Sequence, residues 1–268
     1  MRRKLVAGNW KMHGGLEANR KLLDGLLSRQ AMAELAEGEL AEGDLAEGKL
    51  AECAVLVPFP YLEQVGLALA GSRISWGAQD VSEHMSGAFT GEVAAPMLAD
   101  FGCTLVTVGH SERRALHSED SRTVGRKALS ALRSGLTPII CVGESLAERE
   151  GGVTREIVGQ QIAEAISVCG ADGISASIVA YEPVWAIGTG KTASPEQAQE
   201  VHEFLRGILM SASAEAGQVS ILYGGSVKAS NAEALFAMPD VDGGLVGGAS
   251  LLVGEFMDIW RAASAARH

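Results

Sequence analysis

Ser177–Glu182, SIVAYE, is an unbroken apolar run that ends in a carboxylate. The next residue is Pro183, which biases Glu182 toward an extended backbone and rules out a helix continuing through it. An apolar run without alternation suits a strand buried on both faces, as in a parallel sheet. The same pattern recurs along the chain: KLVAGN (4–9), AVLVPF (54–59), ISWGAQ (74–79), TLVTVGH (104–110), TPIICVGE (137–144), SIVAYE itself, VSILYGGS (219–226) and GLVGG (244–248). Between these runs lie helix-forming segments such as 120–134 and 195–210, the second with Ser194 as N-cap and Pro195 in the first turn. Eight strands alternating with helices predict an α/β fold, a single (β/α)8 barrel spanning 1–268 with eight parallel strands. A doubly wound open sheet would carry G-x-G-x-x-G after its first strand, and VAGNWKMHGG does not match it.

The chain has 268 residues, 47% of them hydrophobic, and a formal charge of -11. That charge argues against nonspecific nucleic-acid binding, which needs a basic surface. It also means that an anionic ligand must be held by local features. The apolar run after the amino-terminal arginines is too short for a signal peptide or a membrane span, so the expectation is a soluble, cytoplasmic protein. Four widely spaced cysteines without a C-x-x-C pair read as buried free thiols, in keeping with a reducing compartment.

One segment departs from the pattern. Residues 34–52, ELAEGELAEGDLAEGKLAE, repeat every five positions, with Leu35, Leu40, Leu45 and Leu50 in register. That period matches neither helix nor strand, so the leucines cannot share a face. The segment holds seven acidic residues and one lysine, more than half of the net negative charge. It reads as a solvated surface insert between the first helix and the second strand, helical at its start, on the amino-terminal face and without a catalytic role.

In a parallel barrel the strand ends and the loops after them form the active face. Here those ends carry Asn9, Lys11, Gln79, His110, Glu144, Glu182, Ser226 and the pair Gly247–Gly248. The glycines of YGGS (223–226) and VGG (246–248) let backbone N–H groups approach an anion closely. Either segment alone fits a tight turn equally well; together, after the seventh and eighth strands, they favour a phosphate site. Glu182 is placed to move a proton, against the plain alternative of a structural ion pair. His110 precedes a helix start, SERR, whose dipole disfavours the imidazolium, so a neutral imidazole is expected.

The segments GNWKMH (8–13), GHSERR (109–114), AYEPVWAIGTGK (180–191), YGGSV (223–227) and GLVGGASL (244–251) resemble the signature segments of the triosephosphate isomerase family, and AQDVSEHMSGAFTGE (78–92) is similar to that family's third barrel loop. The resemblance runs in order over the whole chain apart from the pentad insert. It implies interconversion of D-glyceraldehyde 3-phosphate and dihydroxyacetone phosphate through an enediol(ate). Glu182 would be the base, His110 the group that polarises the carbonyl, and Lys11 the charge stabiliser, with Asn9 beside it. Gly188, Ser226, Gly247 and Gly248 would bind the phosphate, while Ser111 and Glu112 would support the site. A lid would turn on hinges at Pro183–Trp185 and Thr189–Lys191. No metal or organic cofactor is implied. A homodimer would form through loop 78–92, with Thr90 near the neighbouring active site. The competing readings are another phosphosugar isomerase, epimerase or aldolase, or a silent phosphometabolite-binding barrel. An aldolase would need a Schiff-base lysine or a metal cluster, and a silent barrel predicts damage among Lys11, His110, Glu182 and the lid.

Overall fold

Eight parallel strands pair in chain order and close on themselves: β1 Leu5–Asn9, β2 Glu52–Val57, β3 Ile74–Ala78, β4 Leu105–Val108, β5 Thr137–Val142, β6 Ile178–Tyr181, β7 Ile221–Tyr223 and β8 Gly243–Val246. Closure is made by β1 against β8, with Leu5 opposite Gly243 and Gly8 opposite Val246. This computed structural model describes residues 2–38, 50–188 and 191–266. Among the described residues, no helix is long and apolar enough to cross a membrane.

The strands are apolar on both faces because both faces are covered. Leu5, Ala7, Leu56, Ile139, Cys141, Ile178, Ala180, Leu222 and Leu245 point inward and fill the barrel. Their neighbours Val6, Val55, Val106, Ile140, Val179, Ile221 and Val246 point outward and pack under the helices. Alternation therefore exists in direction but not in polarity. Several contacts in the wall are too close for a side chain. A Cβ on Gly77 would run into the carbonyl of Leu105, and one on Gly143 into the carbonyl of Glu182. All four cysteines are buried and free.

The strands are shorter than the apolar runs suggest. Except in β1, whose ladder includes Asn9, the runs extend through the polar residues, whereas the ladders stop one to three residues earlier. After β4, for example, Gly109 turns the chain at φ 68° and His110 already caps a helix. The helices are α1 Leu16–Gly38, α2 Leu62–Leu69, α3 Ala95–Asp100, α4 Ser111–His117, α5 Ser121–Arg133, α6 Leu146–Glu150, α7 Thr154–Ser175, α8 Pro195–Ala212, α9 Ala229–Phe236 and α10 Val253–Ala265. Side-chain caps open α5 and α8, the second through the expected Ser194. Asp120 accepts the N–H of Thr123 (2.7 Å) at the start of α5. Ser194 and Gln197 exchange hydrogen bonds at the start of α8. Helix α1 continues to Gly38, into the first pentad of the insert, and β2 begins at Glu52, its last residue. The expectation for the pentads between them, 39–49, falls outside the described residues.

One buried group outside the cleft makes the fold sensitive to acid. His202 on α8 is fully buried against Tyr181 and Tyr223, with its Nδ1 3.0 Å from the carbonyl of Asp240. Burial pushes its pKa down to about 4. The folded pKa lies below the unfolded value, so the unfolded chain binds the extra proton first, and stability falls as pH drops from about 6.5 toward 4. His202→Gln removes this contribution. Between pH 7 and pH 4.5 the denaturant midpoint of the parent is expected to fall further than that of the variant. Equal falls would assign the acid sensitivity to other groups.

Candidate active site

The carboxyl ends of the strands surround a cleft of about 500 Å³. Asn9, Lys11, His110, Glu182, Gly188, Ser226, Gly247 and Gly248 all line it, so the fold gathers into one place the eight residues to which the family resemblance gives catalytic or substrate-binding roles, while Gln79 and Glu144 lie outside its lining.

The first strand delivers a cation. Asn9 is the last residue of β1 and is buried. Its Oδ1 accepts the backbone N–H of Lys11 (2.9 Å) and holds that residue at φ 51°, a left-handed conformation unusual for lysine. Gln79, just past β3, donates from Nε2 to the carbonyls of Lys11 and Leu56, both at 2.9 Å. The ammonium group of Lys11 lies 2.5 Å from Glu112 Oε1.

The fourth strand delivers the imidazole. His110 is the N-cap of α4, and its Nδ1 accepts the N–H of Glu112 at 3.3 Å. That leaves Nε2 to face Glu182 Oε1 at 2.9 Å. Arg114 braces the turn from behind, donating to the carbonyls of Gly109 and Cys141 at 2.9 Å each.

The sixth strand delivers the carboxylate. Glu182 is buried, its Oε1 on His110 and its Oε2 accepting the N–H of Ser111 at 2.8 Å. Its own N–H donates to the carbonyl of Val142 (2.8 Å). Its Cγ would meet a Cβ on Gly224 at 2.8 Å, so glycine there leaves room for the side chain. Burial on its own raises the pKa of Glu182. The charge and hydrogen bond of His110, the Ser111 N–H and Lys11 outweigh burial and hold it below the ordinary value.

The histidine behaves differently from expectation. Burial lowers its pKa, but the adjoining charge and hydrogen bond of Glu182, with Glu112, reverse this and leave it raised. The helix terminus is therefore not the dominant influence while Glu182 sits against the ring. The bond from Glu112 N–H to Nδ1 still needs a lone pair there, and so opposes protonation at that nitrogen.

The segment after Glu182 is tied down at its start. Glu144 is wholly buried past β5, and its Oε1 accepts from Tyr181 Oη (3.0 Å) and Trp185 Nε1 (2.9 Å). Its carbonyl accepts the N–H of Val184, and Arg149 lies over the Trp185 ring. Gly188 then turns at φ 68°. Of the other expected hinge, Thr189 and Gly190 lie outside the described residues. The roles of Glu144, Gln79 and Arg114 as braces escape sequence reading. Only their place near strand ends, and the arginine doublet after His110, hint at them.

A second cleft of about 330 Å³ adjoins the first and shares Asn9, Lys11 and His110 with it. Its rim carries Met12, Phe59 and Leu116, with Met12 95% and Leu116 76% exposed. Loop 78–92 exposes Met85 and Phe89, and the Phe89 ring stacks on His84 at 3.7 Å between centroids.

Residues 4–263 match the family profile described as triosephosphate isomerase. A triosephosphate isomerase of Thiobacillus denitrificans is 57% identical over 266 residues, covering 98% of this chain and all of that protein. The Bordetella pertussis protein of the same name is 56% identical over 258 residues, 96% of each chain. That of Nitrosomonas eutropha is 49% identical over 259 residues, 96% of this chain and 97% of its own. With that agreement over almost its entire length, the chain belongs to the triosephosphate isomerase family.

Proposed function

We propose that Glu182 carries the proton between C1 and C2 as D-glyceraldehyde 3-phosphate and dihydroxyacetone phosphate interconvert, the reaction that membership of the family carries. The observation that supports this most directly is the meeting of carboxylate, imidazole, ammonium and paired glycines in one cleft. His110 donates from Nε2 to the substrate oxygens, and Lys11 stabilises the negative charge that develops on them. Asn9 keeps Lys11 in place through its backbone N–H. Gly188, Ser226, Gly247 and Gly248 bind the phosphate, largely through backbone N–H groups.

In the arrangement described here Glu182 is occupied by His110 and the Ser111 N–H, so it must exchange both contacts for the substrate carbon. The exchange strengthens the base. Its low pKa depends on those partners, whereas burial, which acts in the opposite direction, stays. Closure of the segment from Pro183 onward moves the carboxylate, sheds water and shields an enediol phosphate that would otherwise lose its phosphate. Lys11 likewise exchanges Glu112 for the substrate. The same exchange frees the Nε2 of His110 and removes the influence that raises its pKa, favouring the neutral donor.

The second cleft supports a homodimer. Its apolar rim suits the exposed Met85 and Phe89 of loop 78–92 from another copy, with Thr90 then near the neighbouring active site. The four free, buried thiols suit the cytoplasm.

Glu182→Gln keeps size and hydrogen bonding but removes the base, and should lower kcat in a coupled isomerase assay by about 10^3-fold or more. A folded variant retaining a tenth of parental activity would remove Glu182 from that role. Sedimentation of the parent should give a dimer, and Phe89→Glu should shift it to a less active monomer. A parent that is monomeric and fully active at assay concentration would defeat the dimer.

A further inference from the structure

We propose that Lys228 is a steering residue that draws the phosphorylated substrate to the mouth of the cleft. The chain carries a net charge of -11, and its substrate is an anion, so the overall field opposes encounter. Attraction has to be local. The cleft is lined by two lysines, Lys11 and Lys228. Lys11 is engaged by Glu112 at 2.5 Å, which cancels much of its field until substrate displaces that carboxylate. Lys228 is exposed on the outer wall, two residues beyond Ser226, and forms no ion pair among the described residues.

Its surroundings suit the task. The backbone N–H of Lys228 donates to Asn231 Oδ1 (2.8 Å), which fixes the base of the side chain while the ammonium group stays in solvent. The charge that faces it on the same wall is Glu255 of α10. That carboxylate accepts the N–H of Ala229 at 3.0 Å, at the first turn of α9, where the helix end offsets part of its charge. With Lys228 present the outer wall is balanced or positive; without it, the wall carries Glu255 and repels a phosphate. Triosephosphate isomerases are standing examples of enzymes working near the diffusional ceiling, where encounter governs kcat/KM. A rim lysine then acts on kcat/KM before any bond is made or broken, and not on kcat.

The test is the salt dependence of kcat/KM, with a chloride salt, for Lys228→Gln, Lys228→Glu and Lys228→Arg. Arg3→Gln serves as a control: it makes the same change in net charge at the amino-terminal face, ahead of β1. At an ionic strength of about 0.01 M, where the Debye length is about 30 Å, Lys228→Gln should lower kcat/KM about threefold and Lys228→Glu further. Lys228→Arg should match the parent, Arg3→Gln should change little, and kcat should hold in all of them. At about 1 M salt, where the Debye length is about 3 Å, the variants should converge on the parent. A deficit that persists at high salt, a matching deficit in Arg3→Gln, or no deficit at low salt would overturn the proposal. The proposal rests on the cleft being the triose phosphate site, and the two fail differently. An inactive parent defeats the function, whereas an active parent with salt-insensitive variants defeats only the role of Lys228.

Discussion

A parallel sheet closed on itself has no free edge and no exposed face, and this constraint orders everything else in the molecule. Ladder hydrogen bonds run unbroken from β1 round to β8, and both faces of each strand are packed. A charged side chain within the wall would be stranded without water, so Lys11, His110 and Glu182 emerge where the ladders stop. All eight strands run in one direction, so those ends lie together. The cleft is thus a consequence of closure, and its chemistry depends on which residue each strand presents on leaving the sheet.

The residues so delivered restrain each other. Glu182 meets His110 and the Ser111 N–H; Lys11 meets Glu112; Asn9 and Gln79 hold the Lys11 turn. Each charged group has a protein partner that a substrate atom can replace, so the site holds its charges without leaving them unpaired. The pKa directions follow. Both Glu182 and His110 feel burial as the largest influence, and in both their mutual contact reverses it. Close packing supplies the precision. Gly143 lets the Glu182 main chain sit against β5, and Gly224 leaves space for its side chain.

The acidity of the chain adds a second constraint. More than half of the net charge lies in the pentad segment 34–52. Against that acidity the cleft sets Gly224, Gly225, Gly247, Gly248 and two lysines, Lys11 and Lys228, among its lining residues.

Much of this can be read along the chain. The unbroken apolar runs announce a parallel sheet buried on both sides, their number announces the barrel, and the polar residue after each run marks the active face. These features are legible because they are local: period, capping and strand-end polarity are written in consecutive residues. Other features are not. After β1, the ladders end before the apolar runs do, because a strand stops where its neighbours stop pairing. The left-handed turn at Lys11 depends on Asn9 beside it and on Gln79 from two strands away. Glu144 has the same appearance at a strand end as Glu182, yet one is tied to Tyr181 and Trp185 and the other faces His110. Helix polarity alone disfavours the imidazolium of His110, and the carboxylate that raises its pKa instead lies 72 residues further along the chain. Sequence determined which side chains leave the sheet; only the closed barrel determined which of them meet, because partnership between distant residues is a property of packing and not of order along the chain.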